Sequence, residues 1–312
     1  MTTTMDGRSR TAQARKPSAP ARKPGAAARG TEEKPESVTA RAIYAVTGTV
    51  LGVLFVAPLV WAVLRSFQSE AAITGAPSLS GLTHLSLTNY QQLIGGSIHV
   101  LHYVGNSLIV ALGTALLTAV LATAAGYGFG RYSFRGKGIL FAVTLLALMI
   151  PYQAILTPAF LELNFLHLTN SLLGLVLFYT TFNLPFGVFV MRNTFSQIPG
   201  ELEESAQVDG AGPFRTLWRV LRPLVTPGIA TTVLYAFLFA WTEFLAALTF
   251  LTQQGKYTFP VALLNVETGT FGQVNFGYLV AGAVIAMIPC VVLYLALQRY
   301  YIQGLMSGAV KG

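Results

Sequence analysis

Glu243 is a carboxylate in the stretch AWTEF, directly after Trp241 and Thr242 and inside a long apolar run. An acid at membrane depth is expensive and by default marks a functional site. An aromatic face, a hydroxyl and a carboxylate in a row suit a ligand that stacks on the ring and hydrogen-bonds to the acid. The other reading is an acid that bonds to neighbouring helices and fixes their packing. Tyr152, Gln153 and Asn183, close to Pro151 and Pro185, are further candidates for a substrate path. A second concentration of chemistry is ELEESAQVDG, where Glu201, Glu203, Glu204 and Asp209 supply four of the chain's 12 acidic residues. No nucleophile and base pair suggests itself. GKG at 136 to 138 is the nearest approach to a phosphate loop, and it fails because residue 131 is Arg where Gly is needed and Gly138 replaces Ser or Thr. His99 and His102 have helical i, i+3 spacing but no third ligand, so solvated loop histidines describe them better than a metal site. The chain itself is expected to bind no cofactor and no metal.

The elements that hold these residues belong to a membrane. Charged residues are 10% and hydrophobic residues 53% of the chain, where a soluble domain carries about 25% charged. The net charge of +8 does not point to nucleic acid, because nine of the 20 basic residues lie in the first 41 positions. Residues 1–41, rich in Ala, Pro, Gly, Arg and Lys, bury too little to order themselves and read as a disordered basic cytoplasmic tail with weak affinity for anionic lipid. The first apolar core begins only near residue 42, too late for a cleaved signal peptide, so the first span is expected to stay as an anchor. Cys290 stands alone among apolar neighbours and is a packing residue.

About 20 apolar residues cross a bilayer as a helix. Six runs qualify, near 43–64, 107–129, 138–160, 171–191, 228–250 and 277–298. Pro151, Pro185 and Pro289 fall near the middle of three of them and predict kinks. With the tail inside, Lys and Arg divide 18 inner to 2 outer, which predicts both termini in the cytoplasm and the acidic loop with them. Ala111, Ala115 and Ala119, then Ala122, Gly126 and Gly130, place small residues at every fourth position and predict a second span buried among helices. The fold class is all-α, a membrane protein of six transmembrane helices, with a six-span domain over 42–312.

In the loop at about 196–224, Pro199 and Gly200 suit a helix start, the glutamates suit its positive end, and Gly210 suits a left-handed stop. A second helix begins at Pro213 and is expected to end before Pro223. Phe214, Leu217, Trp218 and Leu221 share one face of it, and Arg215, Arg219 and Arg222 another. Such an element is either an interfacial helix pinned to headgroups or a protein-docking element. Four acids in nine residues would be repelled by an anionic leaflet, which favours a protein groove for its first half.

The same residues resemble the EAA motif of permease subunits of bacterial ABC importers. Glu204, Ser205 and Ala206 stand where that family has Glu-Ala-Ala, Asp209 and Gly210 where it has Asp-Gly, and Leu221, Pro223 and Leu224 near its closing Leu-Pro. NSLIVA (106–111), AAGYGFGRYSFRGKG (124–138), MIPYQAILTP (149–158), NLPFGVFVMRNTF (183–195), FAWTEFLAALTF (239–250) and GLMSGAVKG (304–312) are similar to carbohydrate importers of the maltose-permease type. The resemblance runs from about residue 42 to the end, with Ser205 in place of the usual Ala and Arg222 where an apolar residue is common.

It implies the type I ABC importer permease fold in a bacterial cell membrane. It also implies coupling to a cytosolic ATPase dimer through Glu201, Glu203, Glu204, Ser205, Ala206, Asp209, Gly210, Phe214 and Trp218. ATP and Mg would be used by the ATPase subunits alone. The further partners implied are a second, related but different permease chain and an extracytoplasmic sugar-binding protein. A six-span proton-coupled secondary transporter, with Glu243 as proton carrier, and a membrane scaffold stay open as alternatives, although neither accounts for the loop at 201–224.

Overall fold

The computed structural model describes residues 38–75, 85–96, 98–268 and 274–309. The expected disordered tail lies outside them except for its last residues. Among the described residues the elements are all helical. The chain divides into two compact units, one ending at Phe55 and one beginning at Val56. The first helix, α1 (Val38–Ser66), runs through the boundary. In the first unit its apolar side chains, among them Ile43, Leu54 and Phe55, are exposed, as lipid-facing residues are.

In the second unit the chain continues through α2 (Glu70–Thr74), α3 (Thr88–Gly95), α4 (Val100–Arg131), α5 (Lys137–Leu146) and α6 (Leu156–Phe165). It goes on through α7 (Leu172–Ser196), α8 (Glu201–Val208), α9 (Pro213–Thr216), α10 (Arg222–Thr242), α11 (Leu245–Phe250), α12 (Phe259–Glu267) and α13 (Phe276–Ala309). Five helices in the described chain are long and apolar enough to cross a membrane, and a sixth span results if α5 and α6 are counted together.

The core is α4 packed between α7 and α10. Ala111, Ala115, Ala119 and Ala122 are buried. A Cβ on Gly126 would sit 2.4 Å from Met191 Cβ, and one on Gly130 would sit 2.7 Å from Phe195 Cβ. Only glycine lets the two backbones come this close, which is how helices associate where no hydrophobic effect separates lipid from side chain. Gly113 meets Val176 as Gly126 meets Met191, so α4 and α7 run parallel. Gly187 faces Thr232 while Gly228 faces Thr194, so α10 runs antiparallel to α7.

Two of the expected spans are not continuous helices. At Pro151 the third is bent by 99° rather than kinked. Ile150 and Pro151 adopt extended conformations, as the residue before a proline prefers, so the helix stops on one side and restarts on the other. The fifth was expected to reach residue 250, but α10 ends at Thr242 because Glu243 is extended (ψ 133°), and the short α11 follows. Pro185 and Pro289 lie inside α7 and α13, which remain helical through them.

Candidate functional site

The loop between α7 and α10 is built by local rules. Gly200 caps α8 at its N-terminus, and Glu201, Glu203 and Glu204 fill the first turn, where unsatisfied N–H groups favour anions. The stop is a Schellman motif: Gly210 takes φ +74°, its N–H donates to Gln207 O (2.9 Å), and Ala211 N–H donates to Ala206 O (2.9 Å). Pro213 opens α9 at its first position.

The second half departs from expectation. The helix begun at Pro213 does not end before Pro223. It widens into a π-turn over Leu217–Leu221 and continues directly as α10, with Pro223 in the first turn. A wide turn of this kind takes up the carbonyl that a proline ring would otherwise strike. The π-turn also splits the expected apolar face. Leu221 is fully buried and Leu217 half-buried, whereas Phe214 is 89% and Trp218 65% exposed. With Val208, 89% exposed, they make an apolar display on an otherwise polar loop. Arg222 lies over the Trp218 ring at 4.4 Å.

The acids are not equivalent. Glu201, Glu204 and Asp209 are exposed, while Glu203 is ion-paired with Arg131 at the end of α4 (Nε to Oε1, 2.5 Å). Ser205 Oγ donates to Glu201 O (2.8 Å), and Ala206 is buried. Arg215, Arg219 and Arg222 are exposed.

The second group of candidates lies at the far end of α10. The Glu243 carboxylate accepts from the free N–H groups that open α11, Leu245 (2.6 Å), Ala246 (3.0 Å) and Ala247 (3.3 Å), and from the hydroxyl of Tyr179 on α7. The trade of a continuous helix for a break is offset here by one side chain that satisfies the new ends. Trp241 is 2% exposed, stacked on Phe237, and donates from Nε1 to Ala286 O on α13 (3.0 Å). Thr242 is exposed, with its hydroxyl bonded to Leu238 O (2.8 Å). Tyr152 sits just after the Pro151 break among Phe178, Phe182 and Phe239, with its buried hydroxyl beside the Glu243 carboxylate. Gln153 is exposed. Asn183 is buried, donates to Tyr179 O (2.7 Å) and leaves Oδ1 unpaired. Tyr152, Asn183 and Glu243 therefore meet around Tyr179 or its aromatic neighbours, while Trp241 faces α13.

Sequence reasoning missed Tyr179, although it lies four residues before Asn183 and thus on the same helix face. It also missed the ties of the NSLIVA motif. Asn106 Nδ2 donates to Gly255 O (3.1 Å) and Tyr257 O (2.9 Å), and Ser107 Oγ accepts from Phe259 N–H (2.8 Å). His102 Nε2 lies 2.6 Å from Gly255 O. With His99 it lines an open cavity of about 730 Å³, together with Ile94, Ile98, Leu101, Tyr103 and Gln254.

Long apolar helices, two of the spans broken, and an exposed helix, glycine turn and helix between them define a membrane subunit of a transporter. Residues 121–307 match the family model described as binding-protein-dependent transport system inner membrane component. The trehalose transport system permease protein SugB of Mycobacterium tuberculosis is 32% identical, over 87% of this chain and 98% of its own. The trehalose/maltose transport system permease protein MalG of Thermococcus litoralis is 30% identical, over 89% and 99%. In fold the chain is similar to a subunit of a bacterial ABC transporter that imports the acidic polysaccharide alginate, with TM-score 0.71 at 21% identity, over 85% of this chain and 98% of that one. The chain belongs to the family of binding-protein-dependent transport system inner membrane components. It is a permease subunit of an ABC importer, a non-catalytic component of the inner membrane.

Proposed function

We propose that this chain forms half of the translocation path of a carbohydrate importer and takes its drive from a cytosolic ATPase seated on the loop at 196–224. The observation that carries the reading is the exposed display of Val208, Phe214 and Trp218 on a loop whose backbone is fixed by the Schellman motif at Gly210. Large apolar side chains on a rigid polar scaffold are what a protein groove takes up, and Phe and Trp anchor such contacts. Glu201, Glu204 and Asp209 are exposed on the same loop and would complement a basic cleft, whereas Glu203 serves inside the chain. In this reading the loop and both termini face the cytoplasm, as the 18 to 2 division of basic residues supports.

The assembly would hold two ATPase subunits using ATP and Mg, a second, related permease, and an extracytoplasmic sugar-binding protein. Carbohydrate is the substrate class because the relatives are named for trehalose, maltose, diacetylchitobiose and arabino-oligosaccharides. Of the path candidates, Gln153 and Thr242 are exposed polar groups, Tyr152 has its buried hydroxyl beside Glu243, and Asn183 leaves Oδ1 unpaired. Glu243 acts as the cap of a broken helix and Trp241 as its packing anchor.

The test is purification of the chain from native membranes in mild detergent, with mass spectrometry of its companions. An ATPase and a second permease should accompany it. Recovery of the chain alone, under conditions that keep a known importer intact, would sink the reading.

A further inference from the structure

The joint between α7 and α8, residues 197–200, ends in Gly200, around which a Cβ would meet nothing within 4 Å. Left to itself, such a joint would bend. One side chain from a third helix spans it. Arg131, the last residue of α4, donates from Nη1 to Phe195 O (3.4 Å) in the last turn of α7 and to Ile198 O (2.8 Å) within the joint, and from Nη2 to Pro199 O (3.4 Å), also within it. From Nε it pairs with Glu203 Oε1 (2.5 Å), beyond the joint. The two side chains are 11% and 15% exposed, so salt screens the pair little. The planar guanidinium offers several donors in fixed directions at once, which a lysine ammonium does not. Behind it, Gly126 and Gly130 lock α4 onto α7, and Tyr127 packs on Phe195 (5.3 Å).

We infer that Arg131 is a positioning residue that makes α8 and the ends of α4 and α7 one rigid body. Displacement of α8 is then delivered to α4 and α7 and not absorbed at the joint. The other limb of the loop, α9, bypasses this staple and runs as continuous helix into α10. The two limbs thus drive different helices. The inference deepens the coupling role of the loop and rests on that reading.

The test places spin labels at Ala124 on α4 and Gln207 on α8, both exposed, in a Cys290→Ser background. Distances are measured by pulsed electron resonance in the purified complex, without nucleotide and with ATP plus vanadate. The wild-type distance should be narrow and the same in both states. Arg131→Ala should broaden it, with a detached population about 10-fold or more higher, as expected when a charge-assisted bond is lost. Arg131→Lys should fall between, and Glu203→Gln, whose amide oxygen still accepts from Nε, should stay near wild type. A wild-type distance that changes with nucleotide, or an Arg131→Ala distance as narrow as wild type, would overturn the staple. Lack of an ATPase in the complex would count against the docking reading instead, since the width of the distance reads the staple by itself.

Discussion

Gly210 offers a substitution whose effect is confined to backbone torsion. It holds φ +74°, and a Cβ built on it meets nothing within 4 Å, so no steric clash accompanies a larger residue. What a side chain changes is the cost of the left-handed conformation, about 1–2 kcal/mol for an ordinary L-residue. Asn tolerates that region best and β-branched residues worst. The two bonds that close the turn, Gly210 N–H to Gln207 O and Ala211 N–H to Ala206 O, depend on it, and the apolar core does not. Gly210→Ala should therefore lower the population of the native turn by a factor of roughly 5–30. Gly210→Val should lower it further and Gly210→Asn little. Three quantities read the result: the amount of chain in the membrane, the ATPase that co-purifies, and solute uptake per ATP hydrolysed. Gly210→Val should leave the chain in the membrane and lower uptake per ATP, while Gly210→Asn stays near wild type. Equal behaviour of Val and Asn would refute the role of the turn, and loss of Gly210→Val from the membrane would show that the turn supports the fold as well.

Three further outcomes follow from contacts elsewhere. Gly126→Ala pushes a Cβ to 2.4 Å from Met191 Cβ and 2.9 Å from Arg192 N, and should cost about 1–3 kcal/mol, seen as a lower thermal midpoint in detergent. Gly128→Ala, with nothing within 4 Å, is the control and should change the midpoint little. Glu243→Ala strands the Tyr179 hydroxyl and the first N–H groups of α11, at about 1–3 kcal/mol for a buried group left unpaired. Glu243→Gln should retain most of that stability and substantial uptake, and complete loss of uptake at unchanged stability would instead make Glu243 a substrate ligand. Phe214→Ala and Trp218→Ala should leave folding within about 0.5 kcal/mol, because both rings are exposed, yet weaken retention of the ATPase by about 2 kcal/mol or more.

How far the sequence predicted these features depends on how local each one is. Gly200, Gly210 and Pro213 do what their backbone preferences demand within four or five residues, and the loop's first half follows from them. The burial of α4 was legible in its alanines and glycines because a repeat of small residues has one structural use in lipid. The split of Phe214 and Trp218 from Leu221 was not, because it arises from a π-turn that answers to Pro223 and to packing against Val225 and Phe195. The break at Glu243 was hidden for a similar reason. AWTEFLAALTF has no glycine or proline to mark a stop, and the capping carboxylate reads as a buried acid until Tyr179 is placed opposite it. Arg131 stood out in the sequence as an inner charge and as the residue that spoils a phosphate loop, and its bracing role was hidden because its partners lie 64 to 72 residues away.

The placement of the breaks relative to the loop bears on how motion would pass through the core. A helix with its hydrogen bonds intact transmits displacement along its axis, and an interruption absorbs it. From Arg222 to Thr242, α10 is helical throughout and lacks only the bond that Pro227 cannot donate, over about 30 Å at 1.5 Å per residue. It is joined to α9 without a loop at one end and ends at Glu243 at the other. At that far end the carboxylate ties the break to Tyr179 on α7, and α7 is itself stapled by Arg131 at the near end. The two helices fed by the two limbs of the loop are thus linked again by a single polar contact at their opposite ends. Under the proposed coupling, relative sliding of α7 and α10 would be felt first at Glu243 and Tyr179, next to the restart of the third span at Tyr152. The acid in AWTEF then has a mechanical role: its two oxygens accept at once from Tyr179 and from the N–H groups that open α11, and their loss in Glu243→Ala would let the far joint loosen before the near one moves.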